Sequence, residues 1–171
     1  MDPSLSDAPA ALYLSLGSNL GDREANLRKA VSLLEKRWNT SCEACSDLVE
    51  TEPWGRWAET PSPFLNAAAA FLLPMRPTPE NALRLLADCK EVERQLGRKE
   101  SLEYAPDGER LYRPRTIDID LLLWGTLKVN LPALQLPHPR MGERDFVLRP
   151  LGQIADIRKI LSIFADSPRQ R

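Results

Sequence analysis

The sequence is poor in the residues that staple small domains or build soft-metal centres: its 171 residues include three cysteines and one histidine. An odd number of cysteines in a chain of this length argues against a disulfide framework. Cys42 and Cys45 form a C-x-x-C pair, but a zinc site would need two further soft ligands, and Cys89 and His138 lie far along the chain. A thioredoxin-type site would set its first cysteine at a helix N-terminus, whereas these two fall where a strand is expected to begin. Both are read as ordinary small side chains. Charge of one sign is also missing: 23 basic and 24 acidic residues give a net charge of -1, so the surface is no trap for polyanions and nucleic acid is not an expected partner. Met1 to Ala10 carry neither a basic n-region nor an apolar h-region, and no uninterrupted apolar run is long enough to cross a bilayer. The expectation is a cytoplasmic protein with no membrane partner, a short disordered tail over residues 1–10 and one domain over 11–171.

What the chain does have is clear alternation of strand and helix patterns. Ala11 to Leu16 is a short apolar run closed by the glycine-bracketed turn Gly17-Ser18-Asn19-Leu20-Gly21-Asp22. Asn26, Leu27, Ala30, Val31 and Leu34 then recur at helical spacing, with Asp22 as N-cap, which predicts a helix to about Trp38. A second strand is expected over Ala44 to Glu50, followed by a long irregular loop marked by Pro53, Gly55, Pro61 and Pro63. Phe64 to Leu73 reads as the third strand. Pro74, Pro77 and Pro79 end it and open a second helix, whose buried stripe is Ala82, Leu85, Leu86, Cys89, Val92 and Leu96, with Gly97 at its C-terminus. After Lys128 a small extra strand and short helices are expected, including Asp145 to Ile154.

The most informative stretch is Arg113-Pro114-Arg115-Thr116-Ile117-Asp118-Ile119-Asp120-Leu121-Leu122-Leu123-Trp124. It reads as a strand, so Asp118 and Asp120 emerge on one face while Ile117, Ile119 and Leu121 take the other. Two carboxylates so close repel each other, and a divalent cation removes that cost. Magnesium fits best, because it takes one or two carboxylates alongside substrate phosphates. Arg115 adds a partner for a phosphate-sized anion at the strand entrance. Solvated charges protecting an edge strand would be the bland alternative, but the unbroken Leu121 to Trp124 run favours a well-buried central strand.

Between Gly97 and that strand lies a charged loop with Pro106-Asp107-Gly108 at its tip and Arg98 and Arg115 as its frame. A mobile lid over about 99–114 would suit phosphate chemistry. The order strand, helix, strand, strand, helix, strand is that of an α+β, ferredoxin-like βαββαβ fold, an antiparallel sheet with helices packed on it and here a small C-terminal extension.

Six motifs occur in a telling order: Leu16-Gly17-Ser18-Asn19-Leu20-Gly21, Glu50-Thr51-Glu52-Pro53-Trp54-Gly55, Phe64-Leu65-Asn66-Ala67-Ala68, Leu96-Gly97-Arg98, Arg113 to Asp120, and Leu136-Pro137-His138-Pro139-Arg140-Met141. With them the chain, from about Tyr13 to Ala155, strongly resembles the 6-hydroxymethyl-7,8-dihydropterin pyrophosphokinases of the folate pathway. The resemblance implies transfer of pyrophosphate from ATP to the pterin hydroxymethyl group, with release of AMP. By similarity, Asp118 and Asp120 hold two magnesium ions, and Arg98 and Arg115 steady the transferred group. His138, Glu93 and Tyr112 match nucleotide-side positions. Phe64 and Phe146 match aromatics that sandwich the pterin, while Asn66 and Thr51 match residues at its hydrogen-bonding edge.

The chain also departs from its relatives. Tyr112 replaces a lid tryptophan, and Ala133 and Gln135 stand where some relatives carry arginine and threonine. After Ala155 the C-terminus is shorter than usual and ends in Ser167 to Arg171, so the last element is expected to be trimmed or disordered. A monomer or weak homodimer is expected. A nucleotide- and metal-binding module without turnover is the alternative, and an RNA binder is disfavoured because the aspartates would repel a phosphate backbone.

Overall fold

The computed structural model describes residues 9–165. Residues 1–8 and 166–171 lie outside the described residues, and with them most of the expected N-terminal tail and the stretch Ser167 to Arg171.

β1 (Ala11–Ser18) sends Leu12, Leu14 and Leu16 to one face, where all three are buried. α1 (Arg23–Trp38) begins where the Asp22 side chain accepts a hydrogen bond from the Ala25 amide at 3.0 Å. It ends at Asn39, which adopts the left-handed conformation (φ 48°) that asparagine tolerates better than most residues. Its buried residues, Leu27, Ala30, Leu34 and Trp38, form one helical stripe. The expected strand over Ala44 to Glu50 is instead two short ones, β2 (Cys42–Cys45) and β3 (Val49–Thr51). The Ser46 side chain explains the break: its hydroxyl accepts from the Ala68 amide at 2.8 Å while its own amide donates to the Ala68 carbonyl at 2.9 Å, so a side-chain bond replaces one of the two backbone bonds of a regular pair.

β4 (Arg56–Trp57) lies in the proline-rich loop and is followed by β5 (Phe64–Leu72). α2 (Pro79–Gln95) is capped by the Thr78 hydroxyl, which accepts from the Asn81 amide at 3.1 Å, and buries Ala82, Leu85, Cys89 and Val92. The segment after α2 carries β6 (Glu103–Tyr104) and β7 (Arg110–Tyr112), and the aspartate strand is β8 (Asp118–Trp124). A small ribbon of β9 (Val129–Asn130) and β10 (Gln135–Leu136) follows, then a 3-10 turn at Met141–Glu143, α3 (Asp145–Ile154) and α4 (Ile157–Ala165).

The main sheet runs β2-β5-β1-β8, all antiparallel, with β3 also on β5. The protein is therefore α+β. α1 and α2 cover one face, over a core that includes Leu14, Leu34, Phe71, Leu85, Ile119 and Trp124. α3 covers part of the other face with Ala68, Leu122, Met141, Val147 and Leu151. β8 is an edge strand, not the central one its apolar run suggested. Its outer side is covered by the chain around β10, where the His138 amide donates to the Leu122 carbonyl at 2.7 Å. A bulge opposite Tyr13 and Leu14 sends both Leu122 and Leu123 to the α3 face, which explains an apolar run without alternation. Among the described residues no helix is long and apolar enough to cross a membrane.

Candidate active site

Sheet register fixes the floor of the site. Asp118 pairs with Gly17, Gly17 with Asn66, and Asn66 with Val49, so one row across the sheet carries an acid, a residue without a side chain, and an amide. In the next row Asp120 lies beside Ser15. A Cβ at Gly17 would sit 3.3 Å from Asn66 Oδ1 and 3.3 Å from the Phe64 ring, so glycine keeps this floor low.

Above it opens a cavity of about 300 Å³. Ten of the expected residues line it: Thr51, Phe64, Asn66, Arg98, Tyr112, Arg115, Asp118, Asp120, His138 and Phe146. Glu93 does not. It is 3 % exposed and lies beneath the cavity, where one carboxylate oxygen accepts from Arg98 and the other from the Ile119 amide. Ala133 and Gln135 also lie away from it; Gln135 instead donates to Asn130 at 3.1 Å.

The phosphate-sized end is built from ion pairs. Arg98 reaches Asp118 Oδ1 at 2.8 Å, and Arg115 reaches Asp118 Oδ2 at 3.1 Å. Asn19 sets the position of Arg115 by clamping its backbone: the Arg115 amide donates to Asn19 Oδ1 at 2.9 Å, and the Asn19 amide donates to the Arg115 carbonyl at 3.1 Å. Asp120 has no ion-pair partner among the described residues. Burial first, then the negative charges of Asp118 and Glu93, push its carboxyl up to about 7. Burial likewise raises Glu93 to about 7. No group of three or more histidine, cysteine, aspartate or glutamate side chains is arranged as a metal cage among the described residues. Two carboxylates, one unpaired, nevertheless fit magnesium, which draws its other ligands from phosphates and water.

His138 is held neutral by burial first and then by Arg144 and Arg140, which lower its pKa. The Arg140 amide donates to Nδ1 at 3.2 Å, so the ring carries its proton on Nε2. Five cationic side chains, Lys90, Arg98, Arg110, Arg115 and Arg144, line the cavity against the acids Glu52, Asp118 and Asp120, a balance suited to a polyanion.

At the other end the walls are aromatic. Asn66 Nδ2 donates to the Val49 carbonyl at 3.1 Å and the Thr51 hydroxyl at 2.7 Å. Trp57 lies 5.7 Å from Phe64 and 5.8 Å from Tyr112, bridging the two loops. β4 and β7 pair in parallel, and the Ala58 amide donates to the Tyr112 carbonyl at 2.9 Å. The loop after β3 and the segment between α2 and β8 thus share a three-stranded sheet, β4-β7-β6.

Sequence reasoning missed Trp57, Lys90 and Arg144. Lys90 lies one turn before Glu93 and Arg144 two residues before Phe146, spacings that were available as signals. Among the described residues Trp57 Nε1 and Arg144 Nε are buried without a hydrogen-bond partner, leaving unused donors in the cavity wall.

Known proteins are similar to this chain in sequence. The family model described as 7,8-dihydro-6-hydroxymethylpterin-pyrophosphokinase (HPPK) matches residues 13–156. A 2-amino-4-hydroxy-6-hydroxymethyldihydropteridine pyrophosphokinase from Porphyromonas gingivalis is 42% identical over 147 residues, covering 85% of this chain and 91% of its own. Its counterpart from Bacillus subtilis is 37% identical over 142 residues, 83% of this chain and 76% of its own. An Arabidopsis thaliana protein named as a mitochondrial folate synthesis bifunctional protein is 37% identical over 140 residues, 82% of this chain but 22% of its own. The chain belongs to the 7,8-dihydro-6-hydroxymethylpterin-pyrophosphokinase family.

Proposed function

We infer that the chain is an ATP-dependent pyrophosphokinase of folate synthesis. It transfers pyrophosphate from ATP to 6-hydroxymethyl-7,8-dihydropterin. The hydroxymethyl oxygen attacks the β-phosphorus, the bond from that phosphorus to the α–β bridging oxygen breaks, and AMP leaves. The observation that carries this reading is that one cavity has an ionic end around Asp118 and an aromatic end around Phe64 and Asn66.

In our assignment the pterin lies between Phe64 and Phe146, where offset stacking suits a flat heterocycle. Because the Asn66 NH₂ group already donates to Val49 and Thr51, its carbonyl oxygen is the group left for the pterin edge. ATP takes the cationic end. Arg98 and Arg115 let go of Asp118 to grip phosphate, Tyr112 offers a ring to the nucleotide, and His138 donates through Nε2. Glu93 acts on ATP through Arg98, whose guanidinium it holds. Asp118 and Asp120 would hold two magnesium ions, which supply charge neutralisation for the triphosphate. The lid over 99–114 closes over both substrates and excludes water.

The strand order, in which β5 lies between β2 and β1 and β8 lies outside β1, supports a ferredoxin-like βαββαβ description of residues 11–124. We also take the protein to be cytoplasmic and a monomer or weak homodimer. The deciding experiment is incubation with ATP, magnesium and hydroxymethyl-dihydropterin. AMP and pterin diphosphate are the expected products, whereas ADP, or ligand binding with no AMP, would overturn the assignment.

A further inference from the structure

Three residues apart on a regular strand, Cys42 and Cys45 would point to opposite faces. They do not. β2 is bulged: Cys42 pairs with Phe71, Ala44 with Ala70 and Cys45 with Ala69, so Glu43 is an extra residue. Phe71 and Ala69 share a face, and the bulge therefore brings both cysteines to that face. Both thiols are free. Cys45 is exposed and Cys42 half-buried, whereas Cys89 is fully buried.

We propose that Cys42 and Cys45 form a reversible dithiol–disulfide site, oxidised by exchange with a small disulfide of the glutathione class. The Cys45 thiolate attacks one sulfur of the small disulfide, that S–S bond breaks, and one small thiolate departs. Cys42 then loses its proton and attacks the Cys45 sulfur, closing the protein disulfide and releasing the second small thiol. Two cysteine thiols lose two electrons, and one small disulfide is reduced to two thiols.

The environments of the two sulfurs suit this order. The hydrogen bond from Cys42 lowers Cys45 to about 7, so the exposed member is substantially thiolate at neutral pH. Cys42 is raised first by that same bond, then by burial and by the Cys45 charge. Capping Cys45 removes the first and third causes together, so the inner thiol becomes easier to ionise once it is needed. The Cys42 sulfur also lies 3.2 and 3.6 Å from the Ala44 and Ala70 carbonyl oxygens, which keeps it beside the strand.

The test is to treat the reduced full chain with oxidised glutathione, alkylate, and map peptides by mass. The peptide spanning both residues should become lighter by two hydrogens and carry no glutathione, with Cys89 unmodified. Cys42→Ser should accumulate a lasting glutathione adduct on Cys45, and Cys45→Ser should slow all modification by about tenfold or more. A wild-type chain that retains the adduct on Cys45, forms only cross-linked dimers, or stays unmodified would overturn the proposal. None of these readouts depends on pyrophosphokinase activity.

Discussion

The Asn66 amide donates to the Thr51 hydroxyl at 2.7 Å, which fixes the amide's orientation and turns its carbonyl oxygen toward the cavity. In our assignment that oxygen meets a part of the pterin that does not change during phosphoryl transfer. Asn66→Ala should therefore raise the pterin KM by about tenfold to a hundredfold, equivalent to about 1–3 kcal/mol, and change kcat less. Thr51→Val should shift the same parameter in the same direction by freeing the amide to rotate. Steady-state kinetics on both variants check this, and an unchanged pterin KM in Asn66→Ala would remove the residue from the pocket.

Arg115 should behave in the opposite way. Its partner in the free protein is Asp118, and in our assignment it exchanges that carboxylate for phosphate oxygens whose charge redistributes during transfer. Arg115→Ala should lower kcat by roughly a hundredfold or more, with a smaller effect on the pterin KM.

Asp120 is the unpaired member of the acidic pair. A neutral amide removes repulsion from Asp118 and Glu93 but cannot replace an anionic metal ligand. Asp120→Asn should thus lose most AMP production at saturating magnesium while its metal-free Tm stays level or rises by roughly 2–4 °C. Activity assays paired with calorimetry distinguish this from simple misfolding, which would lower both.

Glu93 gives a pH signature. Its folded value of about 7 lies above its ordinary 4.5, so the native chain holds a proton that the unfolded chain releases. Stability should consequently fall as pH rises from about 4.5 through 7, by on the order of 2–4 kcal/mol. Glu93→Gln should flatten that slope in urea unfolding of the metal-free protein.

The segment over 99–114, a lid in our assignment, offers a comparison of magnitudes. Arg56 bridges Asp107 and Glu109 at 2.7 and 3.2 Å, but these groups are exposed and such pairs contribute little. Trp57 joins Phe64 to Tyr112 with a ring contact on each side, and all three rings are half-buried. Amide exchange over residues 103–112 should slow when ATP and pterin bind together. Trp57→Ala should abolish most of that slowing, whereas Arg56→Ala should alter it by less than about twofold. Equal effects from both variants would assign the coupling to the ion pairs.

The local elements were legible because their signals are local. Asp22 and the leucine stripe locate α1, the prolines and Gly97 bracket α2, and alternation places Asp118 and Asp120 on one face. Neighbours were not legible. A strand's pattern tells which face is buried and not which strand lies beside it, so β8 read as central although its outer side is covered by the chain near His138. The β4–β7 pairing joins residues more than fifty apart, and two-residue strands carry no periodicity. The bulge in β2 was equally hidden, because Cys42-Glu43-Ala44-Cys45 has no glycine or other mark of an extra residue.

Leu16 and Gly17, or Ile119 and Asp120, are adjacent in the chain yet belong to opposite sides of one sheet: the first of each pair faces the helices, the second the cavity. Substitutions at helix-facing positions and at cavity-facing positions share few partners, so their free-energy effects should largely add, while neighbours along a row such as Asp118, Gly17 and Asn66 should not. A lineage can in this way drift in thermal tolerance through one set of alternate positions while leaving its chemistry untouched in the other.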